Sequence, residues 1–279
     1  RVSREKKDGY ITYDELYEAY SDVEIIINTT PCGMYPNTGK SAVDLNKLPC
    51  VQAVLDAVYN PLSSQLVVDA KECGITAVGG LYMLVSQAAY AIEKFIDAPV
   101  NNCRVEEVFK KLYKDKMNIV LVGMPGSGKT SVGKKLAEHF SKSFVDTDDL
   151  IIRSQNKPIP QIFSETGEKG FREIEKNEIF SVSSSNNSVI ATGGGAILNK
   201  DNTEILKENG RIYFINRPLE MLVATDDRPL SSNKADLEKR YNERYSLYLQ
   251  CADVVVDGSG TIEEVAKRIE AEFNEYSCD

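Results

Sequence analysis

The 279-residue chain is poor in histidine, lacks tryptophan and carries no excess of positive charge. With His139 as the sole histidine, a catalytic triad or a metal centre built on histidine is nearly excluded. The 33 Lys and Arg residues face 42 Asp and Glu residues, and this formal net charge of −9 argues against a general binder of nucleic acids or membrane surfaces. The six cysteines form no CxxC pair, so we expect reduced thiols in a cytoplasmic protein.

Long apolar runs are also missing. No stretch approaches the roughly 20 apolar residues that a membrane-spanning helix needs. The first residues show no charged segment followed by an apolar one, so a secretory signal is not expected. Apolar residues still make up 42% of the chain, which is enough for a real core, and the length suits two domains of moderate size.

The pattern along the chain predicts two α/β units and a short connection. Residues 117–279 alternate predicted strands and helices, which is typical of a parallel sheet covered by helices on both faces. Residues 1–100 alternate in the same way and indicate an incomplete Rossmann-like unit, because no GxGxxG turn is found there. The apolar spacing within residues 101–116 predicts a helical linker.

The segment with the clearest chemistry is GMPGSGKT at residues 123–130, which matches GxxxxGK[ST] at every fixed position. It follows a predicted strand and opens a predicted helix, so its backbone N–H groups can close around phosphate oxygens. Lys129 is expected to reach the β- and γ-phosphates, and the Thr130 hydroxyl to ligate Mg²⁺. An ordinary glycine-rich turn is the alternative. No NKxD-type guanine motif is present, which favours ATP.

Two aspartates follow the next predicted strand. Asp146 and Asp148 lie where the carboxyl ends of parallel strands bind ligands. If the strand continues, both carboxylates share one side, so one can support Mg²⁺ through water while the other accepts a hydrogen bond from a substrate hydroxyl. The alternative is that Asp148 or Asp149 only caps the following helix.

Four more segments have both a functional and an ordinary explanation. Arg172 lies in a charge-rich helical stretch, where most arginines are solvated. The glycines 193–195 permit close approach to a ligand or form a flexible turn. Arg228 lies in a polar segment that suits a phosphate lid or a plain loop. Arg244 lies near the C-terminal end of a predicted helix, where a positive charge interacts favourably with the helix dipole.

Taken together and in order, the motifs of residues 117–279 closely resemble those of shikimate kinase: GMPGSGKT, FVDTDDLI, FREIE, ATGGGAI, DRPL and RYSLYLQCAD. The resemblance implies ATP-dependent phosphorylation of shikimate at its 3-hydroxyl, with Mg²⁺, and it also implies that Glu175 orients Arg172. It assigns catalysis to Lys129, Asp148 and Arg228, ATP binding to Gly126, Ser127, Gly128, Lys129, Thr130, Ser131 and Arg228, shikimate binding to Asp148, Arg172, Gly193, Gly194, Gly195 and Arg244, and metal binding to Thr130 and Asp146.

Two other functions remain open at this point. A gluconate-type kinase, or another kinase of small metabolites, has a similar P-loop, although two arginines favour a rigid carboxylate ligand. A non-catalytic nucleotide-binding module is the alternative from another class of protein. A panel of substrates and a measurement of ATP turnover separate these possibilities.

The first unit resembles the C-terminal half of shikimate dehydrogenase over residues 24–97, through NTTPCGMY, DAVYNP and GGLYMLVSQA. The resemblance implies a vestigial site for NADP and shikimate at Ser3, Arg4, Lys7, Asn28, Thr30, Gly80 and Gln87. Arginine and lysine suit the 2′-phosphate of NADP, whereas without the resemblance they are routine surface charges.

The dehydrogenase family's substrate domain and glycine-rich turn have no counterpart in this sequence. We therefore expect no reduction of dehydroshikimate by the chain as given, with NADP a cofactor only of a complete dehydrogenase. This pattern fits either a fragment of a bifunctional protein or a dehydrogenase part that is only a remnant. The pairing is reasonable because the two families catalyse consecutive steps toward aromatic amino acids.

Overall fold

The computed structural model describes residues 1–222 and 234–276. The chain divides into two compact units, Arg1–Tyr113 and Lys114–Asp279. Each unit contains one parallel sheet, as the alternating pattern predicts. Among the described helices, none combines the length and the apolar character needed to cross a membrane. The α/β class predicted from sequence is therefore confirmed, while the bounds 1–100, 101–116 and 117–279 stay a prediction.

The first unit has a three-stranded sheet in the order β1–β2–β3. Its elements are α1 (Tyr13–Ala19), β1 (Ile25–Asn28), β2 (Ala53–Asp56), α2 (Gln65–Glu72), β3 (Thr76–Val78), α3 (Leu81–Ile96) and α4 (Asn102–Lys116), the last of which runs into the second unit. The sequence pattern alone does not predict β3, because three residues are too few to show a strand periodicity.

The core of the first unit lies on one face of this sheet. Val54 and Ala77 point from β2 and β3 toward Leu66 and Val67 of α2, and all four side chains are buried. Ser64 caps α2 by accepting a hydrogen bond from the Val67 N–H. Alternate residues of a strand face opposite sides of a sheet, so this burial uses every second position.

The second unit has a five-stranded sheet in the order β5–β6–β4–β7–β8, and every neighbouring pair is parallel. Its elements are β4 (Asn118–Val122), α5 (Lys129–Phe140), β5 (Ser143–Asp146), α6 (Thr147–Gln155), α7 (Ile159–Ser183), β6 (Ser188–Ala191), α8 (Lys200–Asn209), β7 (Gly210–Asn216), α9 (Lys234–Cys251), β8 (Val254–Asp257) and α10 (Ile262–Glu275).

Strand β4 occupies the centre of this sheet and is buried along its whole length. Its sequence NIVLV is the continuous apolar run expected of a parallel strand with both faces covered. The strand ends at the P-loop, residues 123–130, so this loop lies at the middle of the carboxyl edge of the sheet. Strands β5 and β6 end on one side of it, and β7 and β8 on the other.

Helix α7 is kinked at Gly167, whose φ of 68° and ψ of −179° are not helical. Only glycine adopts this conformation readily. The kink separates the first part of the helix from the segment that carries Arg172 and Glu175.

Candidate active site

The P-loop is shaped by glycines that adopt positive φ angles. Gly126 has a φ of 80° and Gly128 a φ of 93°, in the left-handed region where other residues are strained. Gly128 is the N-cap of α5, and no side chain caps this helix start. The N–H groups and the dipole of α5 therefore remain available to an anion, as the motif predicts.

One buried polar atom in the loop lacks a partner. Ser127 is 2% exposed, and its Oγ makes no hydrogen bond with any part of the chain that the structure describes. A buried hydroxyl without a partner is costly, so such groups usually meet a ligand or water. A phosphate oxygen can supply the missing partner, so this hydroxyl is compatible with a phosphate group in the loop.

Lys129 is buried and folds back over the loop. Its Nζ donates hydrogen bonds to the carbonyl oxygens of Gly123 at 2.8 Å and of Met124 at 3.0 Å. The ammonium group is thus held against the backbone at the start of the loop. Ser131, the last predicted ATP-binding residue of this segment, is exposed in the first turn of α5.

Thr130 and Asp146 form the predicted metal pair. The Thr130 hydroxyl donates to Asp146 Oδ2 at 2.7 Å, which joins the P-loop helix to the end of β5. Both groups offer hard oxygen ligands, and Mg²⁺ is commonly held by one or two protein oxygens together with substrate phosphates. The donor set therefore fits Mg²⁺.

The relation between Asp146 and Asp148 differs from the expectation of a continuing strand. Strand β5 ends at Asp146, and α6 begins at once, so Asp148 lies in the first helical turn. The capping residue is Asp146, whose Oδ1 accepts from the Asp148 N–H at 3.0 Å, and neither Asp148 nor Asp149 fills this role. An aspartate before a helix is a strong N-cap, which ends the strand here.

Asp148 instead turns toward the glycine turn, residues 193–195. A Cβ placed on Gly193 would lie 2.5 Å from Asp148 Oδ1 and 3.0 Å from Glu175 Oε1. The Gly193 N–H donates to the Thr147 hydroxyl at 2.9 Å. The absence of a side chain at Gly193 thus leaves room for two carboxylates beside the turn.

Arg172 is held by a buried acid. Its Nη1 donates to Glu175 Oε2 at 2.6 Å, and Glu175 is 1% exposed. Burial raises the pKa of Glu175, while the nearby Arg172 guanidinium opposes this rise. Part of the Arg172 side chain still reaches solvent, and its guanidinium lies where a Cβ on Gly195 would have to sit. Arg172 is therefore not a solvated surface residue.

Arg244 is buried on α9 and donates from Nη1 to the Gly194 carbonyl oxygen at 2.9 Å. It also lowers the pKa of Glu175 through its charge, which places it near the Arg172 pair. The macrodipole explanation for this residue is therefore insufficient. Two arginines, Asp148 and the glycine turn converge at one place beside the P-loop, since a Cβ on Gly194 would lie 2.8 Å from Pro125 Cδ.

Sequence reasoning missed two residues of this site, Thr147 and Tyr248. The Tyr248 hydroxyl donates to the Gly194 carbonyl oxygen at 2.6 Å, beside the bond from Arg244. Tyr248 follows Arg244 by four residues and so shares its helix face, a signal that was available in the sequence. Arg228 lies outside the described residues.

The first unit contains an open cleft of about 940 Å³. It brings together four of the predicted dehydrogenase-like residues, Ser3, Arg4, Lys7 and Thr30, and adds Lys40 to them. The other three do not line it. Asn28 is buried and donates to Asp56 Oδ1, Gly80 packs closely against the Ala57 carbonyl group, and Gln87 is exposed on α3.

Comparison with known proteins assigns the second unit. The sequence profile described as "SKI: Shikimate kinase" matches residues 125–274. A shikimate kinase from Dechloromonas aromatica (strain RCB) is 38% identical over 167 residues, which cover 57% of this chain and 91% of that protein. A shikimate kinase from Clostridium botulinum (strain Eklund 17B / Type B) is 41% identical over 159 residues, which cover 55% of this chain and 95% of that protein.

Solved structures match as well. Shikimate kinase from Acinetobacter baumannii in complex with shikimate has 33% identity and a TM-score of 0.56, and the match covers 60% of this chain and 99% of that one. A chorismate mutase/shikimate 5-dehydrogenase fusion protein from Clostridium acetobutylicum has 40% identity over 40% of this chain and 42% of that one, with a TM-score of 0.37. The dehydrogenase match lies in the N-terminal part.

Proposed function

Because this chain belongs to the shikimate kinase family, we propose that it transfers the γ-phosphoryl group of ATP to the 3-hydroxyl of shikimate. The observation that carries this proposal is the convergence of Arg172, Arg244 and Asp148 on the glycine turn beside the P-loop. This arrangement offers two guanidinium groups for a carboxylate and one carboxylate for a hydroxyl, which matches a hydroxylated ring acid.

The nucleotide triphosphate is held by the P-loop. Its phosphates accept hydrogen bonds from backbone N–H groups, from the unpartnered Ser127 hydroxyl and from the Lys129 ammonium group. To reach the phosphates, Lys129 gives up its hydrogen bonds to the Gly123 and Met124 carbonyl oxygens. Thr130 and Asp146 would hold Mg²⁺, and the ion would supply positive charge that offsets the negative charge of the phosphates. The predicted contact of Arg228 with ATP and the transferring group remains part of the proposal.

Shikimate is oriented by charge-assisted hydrogen bonds. Arg172 and Arg244 bind its carboxylate, since a planar guanidinium matches a carboxylate with two parallel bonds. Glu175 fixes the Arg172 side chain from behind. Asp148 and the glycine turn then face the ring hydroxyls, which places the acceptor oxygen toward the P-loop.

In the reaction, the 3-hydroxyl oxygen forms a bond to the γ-phosphorus. The bond between that phosphorus and the β,γ-bridging oxygen breaks. The electron pair of this bond stays on the bridging oxygen, which leaves as part of ADP. The Asp148 carboxylate accepts the hydroxyl proton. Lys129 stabilises the negative charge on the transferring group, which is the main contribution that a protein makes to phosphoryl transfer.

The test is an assay of ADP release with shikimate, quinate and gluconate as acceptors, with and without EDTA. We expect Mg²⁺-dependent ADP formation with shikimate far above the other two. A preference for gluconate would support another metabolite kinase, and ADP formation with none of them would indicate a nucleotide-binding module.

A matched pair of variants tests the role of Asp148. Asp148→Asn removes the carboxylate that faces the glycine turn, whereas Asp149→Asn changes an exposed neighbour in the same helical turn. We expect kcat to fall by about 10²-fold or more in the first variant, as general base catalysis contributes about 10²–10⁴-fold. Similar kcat values in both variants would contradict the assignment.

A second candidate function concerns the cleft of the first unit, which gathers Arg4, Lys7 and Lys40 beside Ser3 and Thr30. Basic side chains next to hydroxyl groups suit a phosphate dianion. We propose that this cleft binds the 2′-phosphate of NADP. Calorimetric titration should show weak binding of NADP that exceeds the binding of NAD and is lost in Arg4→Ala.

The control for this experiment is Lys6→Ala. Lys6 is exposed, pairs with Glu15 at 3.0 Å and does not line the cleft. Equal loss of binding in both variants would indicate a general charge effect and contradict a specific phosphate site.

The cysteines bear on the compartment in which the protein works. Five of the six are described, and all five are free thiols. We propose that the protein functions in the cytoplasm, where thiols stay reduced. Titration of free thiols in the protein purified without reductant tests this.

A further inference from the structure

We infer that Tyr248 is a positioning residue that orients the glycine turn for the acceptor substrate, an inference that rests on the function proposed above. Tyr248 lies on α9 and is 1% exposed. Its hydroxyl donates to the Gly194 carbonyl oxygen at 2.6 Å, the shorter of the two bonds to this oxygen. No step of the proposed mechanism uses this hydroxyl directly.

The carbonyl of Gly194 is shared between two side chains of α9. Arg244 Nη1 donates to it at 2.9 Å, one helical turn before Tyr248. Arg244 therefore has two tasks, because its other N–H groups are proposed to bind the substrate carboxylate. A second donor on the same carbonyl oxygen keeps the turn in place while Arg244 adjusts to the substrate.

The orientation of this carbonyl determines the direction of an N–H group. The Gly194 C=O and the Gly195 N–H belong to one planar trans peptide, so they point in opposite directions. Within the described ranges, no residue accepts a hydrogen bond from the Gly194 or Gly195 N–H. The bond from Tyr248 thus directs the Gly195 N–H away from α9.

Tyr248 is a rigid anchor for this bond. Its ring stacks on Phe214 of β7 with a centroid distance of 4.8 Å and an interplanar angle of 13°. Burial raises the pKa of Tyr248, so its hydroxyl stays protonated and remains a donor. On the other side, Gly194 meets Pro125 of the P-loop and Gly195 meets the Arg172 guanidinium. The turn is therefore held between the two binding sites.

The test is Tyr248→Phe, which removes the hydroxyl and keeps the stacked ring. A neutral hydrogen bond contributes about 1 kcal/mol, so kcat/KM for shikimate should fall about fivefold. The KM for ATP should change less than twofold, because the P-loop keeps its own contacts. A merely structural defect would lower the active fraction and leave both KM values unchanged.

The matched control is Tyr245→Phe. Tyr245 lies on the same helix, stacks on Tyr241 at 5.2 Å and has its hydroxyl 3.4 Å from Asn216 Nδ2, away from Gly194. We expect its kcat/KM for shikimate to stay within twofold of the unsubstituted protein. Equal effects in the two variants, or equal increases in both KM values of Tyr248→Phe, would overturn the inference.

Thermal unfolding separates folding from positioning. Tyr248→Phe should unfold cooperatively, and loss of cooperative unfolding would show that the hydroxyl supports the core, which overturns the inference. The unsubstituted protein separates the two proposals. If it forms ADP with shikimate and Tyr248→Phe matches it, only the inference fails. If the unsubstituted protein forms no ADP, the proposed function and the inference fail together.

Discussion

The central strand of the second unit is buried at all five residues, whereas the strands of the first unit expose every second apolar side chain. Ile25, Ile27, Leu55 and Val78 lie on the open face of the three-stranded sheet and are between 43% and 66% exposed. On the five-stranded sheet, Val120 and Ile190 are fully buried. Both sheets are parallel, so the difference lies in how many faces are covered.

This difference shows what a functional site at a sheet edge requires. Parallel sheets are normally covered on both faces, since helices then bury all of their apolar side chains. The covered sheet of the second unit fixes the ends of β4, β5 and β6, and these ends carry the P-loop, Asp146 and the glycine turn. In the first unit, by contrast, the cleft is lined by its first residues and by the segment after β1.

The largest expected effect separates the two units by chemistry. Lys129→Ala should reduce shikimate-dependent ADP formation by about 10²–10³-fold, because it removes a buried positive charge from the transition state. Arg4→Ala, in the cleft of the first unit, should leave this activity within twofold. Steady-state assays of both variants measure this. Undiminished turnover in Lys129→Ala would contradict the role of the P-loop.

The next prediction compares the sheets by stability. Ile190→Ala removes a fully buried side chain from the five-stranded sheet and should lower the free energy of unfolding of that unit by about 2–5 kcal/mol. Ile27→Ala, which is 66% exposed, should cost less than about 0.5 kcal/mol. Amide hydrogen exchange of peptides from each sheet reports the two units separately. Equal losses would mean that the open face is buried in solution.

Within the second unit, the substrate and nucleotide sides should respond differently. Arg172→Ala and Arg244→Ala each remove a charge-assisted contact of about 1.5–3 kcal/mol, so KM for shikimate should rise about tenfold or more. The dissociation constant of ATP should stay within twofold. Replacing either arginine with lysine should restore little shikimate binding, because an ammonium group lacks the planar guanidinium that forms two parallel bonds to a carboxylate.

Arg153→Ala is the control for these variants, as Arg153 is exposed in the last turn of α6. It should behave like the unsubstituted protein in shikimate kinetics and in ATP titration. If ATP affinity fell as much as shikimate affinity in the Arg172 and Arg244 variants, their assignment to the carboxylate would be wrong.

The smallest expected effect is a dependence of stability on pH. Burial raises the pKa of Glu175 above its ordinary value of 4.5, so the native state keeps this proton where the unfolded chain has lost it. Between these two pKa values the native state binds more protons, and the free energy of unfolding falls as pH rises. Glu175→Gln should remove this slope.

Denaturant titrations at several pH values from 4 upward measure that slope. Glu173→Gln is the matched control, because Glu173 lies on the exposed side of the same helix. If Glu175→Gln kept the full slope of the unsubstituted protein, the slope would have to come from other groups.

Local motifs predicted much of the second unit. The P-loop is a contiguous segment, and the structure has β4 before it, α5 after it and β5 next along the chain, in the order that the sequence predicts. The short strand β3 and the capping role of Asp146 were not predicted. A three-residue strand has no periodicity, and the choice between strand and cap depends on where the sheet ends rather than on local residue types.

The sequence by itself determined the α/β class and the family. The class follows from the alternation of strand and helix patterns along the chain, and the family follows from the order of its motifs. Only the tertiary structure decided which polar groups meet. Gly194 and Arg244 are 50 residues apart and join through one hydrogen bond, and Tyr248 joins the same carbonyl oxygen from one turn farther along α9. Such contacts depend on the packing of α9 against β7 and on the absence of side chains at the glycine turn. A linear pattern records residue types and intervals, whereas the site is created when distant segments bury their polar groups against each other.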